Sequence, residues 1–78
     1  MNLEQYDRKF SENKKVILEN IQKGKKAGVN KVSAVFAINE NDEIKNKMVT
    51  ELATWLMNSG YKVSIKEGEL KILVIEWE

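Results

Sequence analysis

The chain has 78 residues, 42% of them hydrophobic and 32% charged, and its thirteen basic side chains against twelve acidic ones give a net charge of +1. That length suits one domain, residues 1–78, near the lower limit of a self-sufficient core, and neither disorder nor a global field for nucleic acid or membrane fits the composition. The absence of Cys and His removes disulfides, thiolate chemistry, imidazole- or thiolate-based metal sites and His- or Cys-dependent triads.

From the N-terminus, Leu3, Tyr6, Phe10, Ile17 and Ile21 recur at helical spacing. Ser11, followed by Glu12, offers a place where this helix breaks or is capped again. Its end falls at Gly24 or Gly28. Gly28 is the better left-handed stop, because Lys25 and Lys26 then occupy the last turn and complement the helix dipole.

The stretch KVSAVFAI, Lys31 to Ile38, is β-branched and apolar and reads as a buried strand. Asn41 then offers an N-cap, with Asp42 and Glu43 in the first turn. Ile44, Met48, Leu52, Trp55 and Leu56 follow at intervals of three and four, and Gly60 stops this second helix.

Tyr61 to Lys66 and Glu69 to Trp77 read as a hairpin around Glu67-Gly68. A two-residue loop sets Ile65 opposite Leu70, Val63 opposite Ile72 and Tyr61 opposite Val74, so each apolar residue meets an apolar partner. The order is α-β-α-β-β, an α+β fold. The helical crossover leaves the first two strands parallel, and the last strand, apolar on both faces, belongs between them. The expected architecture is a three-stranded sheet of order 1-3-2 with a C-terminal hairpin and two helices packed mainly on one face.

That register places Leu70, Ile72 and Val74, with Val32, Ala34, Phe36 and Ile38, under the helices. Val35, Leu73, Ile75 and Trp77 then line the opposite face, and an uncovered apolar patch marks an interaction surface. Trp77 has two readings, an interface anchor or a core-edge residue under the first helix.

Few features point to chemistry. KGKKAG, Lys23 to Gly28, closes a helix and has no Ser or Thr after its lysines, unlike a phosphate loop. Glu40, Asp42 and Glu43 are explained by helix capping and do not form a calcium loop. A domain of this size has little room for a substrate, since pockets usually occupy roughly 300 Å³ or more. The chain is therefore expected not to be an enzyme and to need no cofactor or metal. No apolar run reaches the roughly 18 residues of a membrane span, and the polar N-terminus is unlike a signal peptide, so a cytoplasmic location is expected.

A helix running into Gly-Tyr, a short hairpin and an Ile-x-Trp finish (NSGYKVSI, then VIEW) resembles a pattern recurring among small accessory proteins encoded by bacteriophages. The resemblance covers the last half of the chain. It implies a viral protein that binds or inhibits a host or defence protein in the host cytoplasm, and it implies no catalytic residues.

The leading expectation is a non-enzymatic protein-interaction module, forming a homodimer or other homo-oligomer, that uses Val35, Leu73, Ile75 and Trp77. One alternative is a small nucleic-acid-binding protein using Lys14, Lys15, Lys23, Lys25 and Lys26. Another is a structural component of the virion.

Overall fold

The computed structural model describes residues 3–36 and 43–78. Ala37, Ile38, the Asn41 cap, Asp42 and Glu40 of the sequence reading lie outside them. The described chain forms α1 (Leu3–Lys26), β1 (Lys31–Phe36), α2 (Glu43–Asn58), β2 (Lys62–Glu67) and β3 (Lys71–Glu76). The sheet has the order β1-β3-β2, with β3 antiparallel to both neighbours.

α1 runs through Ser11 without a break. Tyr6, Phe10, Ile17 and Ile21 stay in helical phase across that position and all pack on the core, and this outweighs the weak local preference of one exposed serine. Both helices end alike. Gly28 has φ +79° and Gly60 φ +96°, a conformation that costs a residue with a Cβ. The Val29 N–H donates to the Gly24 carbonyl and the Gly28 N–H to that of Lys25; likewise Tyr61 donates to Leu56 and Gly60 to Met57. These paired bonds satisfy carbonyls that the helix ends would otherwise leave open. Gly28, and not Gly24, is thus the stop of α1.

The core is formed by Ile17 and Ile21 of α1, Met48, Val49, Leu52, Ala53 and Leu56 of α2, and Leu73 and Ile75 of β3. α1 lies against β1 and α2 against β2 and β3, so both helices share one face of the sheet. Burying a side chain the size of Leu52 or Leu73 stabilises the fold by roughly 1.5–3 kcal/mol. Ile44, counted with the apolar stripe of α2, is exposed instead. Trp55 is half-buried at the edge of the core.

The hairpin register differs from the expected one. Glu67 pairs with Lys71, Ile65 with Leu73 and Val63 with Ile75, leaving Gly68, Glu69 and Leu70 as a three-residue loop. The displacement is by an odd number of residues, and an odd displacement turns every β3 side chain to the other face. Leu73 and Ile75 are therefore core, while Ile72 and Val74 look away from the helices. Because β3 is apolar on both faces, Val63 and Ile65 find apolar partners in either register. The observed register sets Lys62 against Glu76 and Glu67 against Lys71, the latter 3.2 Å apart, where the expected one sets Lys66 against Glu69. β1 also departs from the expectation of a buried strand. It is an edge strand whose exposed and half-buried residues alternate.

Candidate functional site

The sheet face turned away from the helices is built in three rows by the strand registers. Lys31, Glu76 and Lys62 form the first, Ser33, Val74 and Ser64 the second, and Val35, Ile72 and Lys66 the third, in the strand order β1, β3, β2. Alternation along each strand fixes this membership, since Val32, Ala34, Phe36, Val63, Leu73 and Ile75 point to the helices. Val35 is 58% exposed, whereas Val74, central among its neighbours, is only 8% exposed although no described helix packs on it. Lys31, Lys62, Lys66 and Glu76 form no ion pair within 4 Å among the described residues.

Of the four residues expected at an interface, only Val35 lies on this face. Leu73 and Ile75 are each 0% exposed beneath the helices, and their assignment to a surface patch is corrected accordingly. Trp77 is half-buried and takes the core-edge role. Its indole packs at Gly24 of α1, and the backbone N–H of Trp77 donates to the Asn30 carbonyl at 3.0 Å. It meets Tyr61 edge to face, with ring centroids 6.4 Å apart. The residues that belong on the open face but were placed in the core are Ile72 and Val74. The apolar pattern of β3, alike on its two faces, does not locate them.

The five lysines of the nucleic-acid reading do not make one patch. The Lys14 ammonium lies over the rings of Phe10, at 4.6 Å, and Trp55, at 5.0 Å. The Lys25 ammonium lies over Tyr61, at 5.7 Å, and Trp77, at 5.9 Å. These cation–π contacts tie each lysine to its own side of the core. Eleven residues of helix, about 16 Å, separate the two. Lys15, Lys23 and Lys26 are exposed.

Polar groups concentrate where α1 meets α2. The Tyr6 hydroxyl donates to Glu51 Oε2 at 2.6 Å, and Asn13 Nδ2 donates to Met48 Sδ at 3.3 Å. Burial, then the hydrogen bond and charge of Glu51, then the charge of Asp7 push the Tyr6 pKa up to about 12. Each of these disfavours the phenolate. Near the start of α2, Lys71 donates to Asn46 Oδ1. These contacts join separate elements of the fold.

A recess of about 330 Å³ at one end of the strands is lined by Asn30, Gly60, Lys62, Glu76, Trp77 and Glu78. Another of about 270 Å³ lies at the hairpin tip, lined by residues 66–70 and Ile72. Among the described residues there is no group of three or more acidic side chains placed to hold a metal ion. No described helix is long and apolar enough to cross a membrane. Compared with known proteins, the chain matches no family model, no curated protein and no solved structure.

Proposed function

We propose that the chain is a non-enzymatic protein-interaction module that receives its partner on the open sheet face. One observation carries this reading: β3 is apolar on both sides, yet both helices pack on the side of Leu73 and Ile75. Among the described residues, no helix or strand covers Val35, Ile72 and Val74. A two-layer fold normally buries one face of its sheet and makes the other polar. Apolar side chains kept on the second face are a cost to solubility that contact with a partner offsets. The bacteriophage-like C-terminal pattern, taken with this, makes a host or defence protein the natural partner. The nucleic-acid reading has less support, because Lys14 and Lys25 are drawn onto aromatic rings.

Site-specific photo-crosslinking tests the proposal. A photoreactive residue at Val35 should give a discrete protein adduct in a lysate of the native host, and the same residue at exposed Thr54 of α2 should not. Equal labelling from both positions, or none from Val35, would refute it.

A further inference from the structure

Resting on that reading, we infer that the occupant of the open face is an amphipathic helix of another protein, with an apolar stripe flanked by carboxylates two turns apart. Three properties of the face lead there.

The first is its dimensions. Six-residue strands span about 20 Å, and the outer strands of a three-stranded sheet lie about 10 Å apart. A helix is about 10 Å wide, and about 13 residues of it cover 20 Å. The footprint suits one short helix laid along β3.

The second is charge. The three rows hold Lys31, Lys62 and Lys66 against the single acid Glu76. The lysines stand around Val35, Ile72 and Val74, with Lys62 and Lys66 on the same face of β2 and Ser64 between them. Two residues four apart on one strand face are about 13 Å from each other. Carboxylates seven or eight residues apart on a helix are separated by about 11–12 Å along its axis. A helix can therefore set two acidic residues against Lys62 and Lys66 while its apolar side chains lie on Ile72, Val74 and Val35.

The third disfavours a second copy of this chain on the same face. A two-fold axis along β3 would bring β1 over β2, placing Lys31 on Lys62 and Glu76 on Glu76. An axis across the strands would set the row Lys31, Glu76, Lys62 on the row of Val35, Ile72 and Lys66. Like charges meet in one case, and charges are buried on apolar groups in the other. The face suits an acidic partner and repels itself.

The test is a selection from a displayed library of 14-residue helical peptides on the intact protein. Binding of enriched peptides is then measured by fluorescence anisotropy to the unmodified chain, to the Lys62→Glu/Lys66→Glu variant and to Val35→Asp. All these positions are exposed, and circular dichroism checks that each variant folds. The expected winners carry Asp or Glu seven or eight residues apart beside an apolar stripe. Their affinity should fall about tenfold or more in the double lysine variant and weaken as salt is raised. Basic or neutral winners indifferent to the lysine reversal would overturn the acidic-helix inference. If they still lost binding in Val35→Asp, the docking face itself would stand. If no peptide depended on Val35, both would fall. Salt-sensitive binding of a single-stranded oligonucleotide to Lys62 and Lys66 with no such peptide enriched, or a dimer in sedimentation broken by Val35→Asp, would also overturn the inference.

Discussion

The indole of Trp77 and the backbone of Gly24 are in such close contact that a Cβ built on Gly24 would stand 3.0 Å from the ring carbon Cη2. Val32 Cγ1 would be equally near, and Val29 Cγ2 would be at 3.2 Å. In the middle of a helix alanine is ordinarily favoured over glycine by about 1 kcal/mol. Here the added methyl enters a filled slot between α1 and the sheet. Gly24→Ala should therefore lose its propensity advantage to overpacking, with a net destabilisation of about 1 kcal/mol. Gly24→Val should cost more. Urea denaturation followed by tryptophan fluorescence measures both, and a raised midpoint for Gly24→Ala would show that the slot has room.

Leu52 has no exposed surface and lies among Val49, Leu56 and the sheet. Truncating it to alanine should cost roughly 2–5 kcal/mol, the range for a buried leucine whose cavity cannot close. In a chain this small that is a large part of the total stability. A melting temperature unchanged by Leu52→Ala would place the core elsewhere.

Tyr6 should make stability fall in strong alkali. Its pKa in the fold is raised from the ordinary 10.0 to about 12, so the folded state holds the phenolic proton after the unfolded chain has released it. Its contribution is fully present below pH 10 and is lost as pH rises from about 10 to about 12. Tyr6→Phe should flatten that slope and, at neutral pH, cost about 1 kcal/mol for the bond to Glu51. In Tyr61→Phe, ultraviolet titration should show the remaining tyrosine ionising around pH 12. Ionisation at its ordinary value would contradict the Tyr6–Glu51 contact.

Lys25 and Lys26 are sequence neighbours with different duties. Lys25 lies over Tyr61 and Trp77, whereas Lys26 is exposed with no ring beneath it. Charge reversal at Lys26 should change stability by less than about 0.5 kcal/mol. Reversal at Lys25 should cost about 1 kcal/mol more, because it replaces an attractive cation by an anion over two ring faces. Thermal melts of the two variants make the comparison, and equal losses would mean that the ring contacts contribute nothing.

Much of the architecture can be read from local signals. Gly28 and Gly60 mark helix ends because the left-handed position selects glycine, and Met48, Leu52 and Leu56 give the phase of α2. The central place of β3 follows from its double-sided apolarity. What escapes that reading is which side of β3 is which. Leu70, Ile72 and Val74 are as apolar as Leu73, Ile75 and Trp77, so the pattern does not choose between them. The choice is made by contacts far apart in sequence, such as Trp77 against Gly24. Hence Val35 is correctly placed on the open face while Leu73 and Ile75 are not. The role of Gly24 is hidden for a similar reason, since in sequence it resembles one more helix stop.

The strand that holds the sheet together is also the last of the three to be synthesised. β1 and β2 run in the same direction and have no hydrogen bonds to each other; both depend on β3. During translation the chain therefore carries two helices and two unpaired strands until residues 71–76 leave the ribosome. The unfinished protein has no partial sheet to fall back on, and a released chain truncated before Lys71 has open strand edges, the kind of species that aggregates or is captured by chaperones.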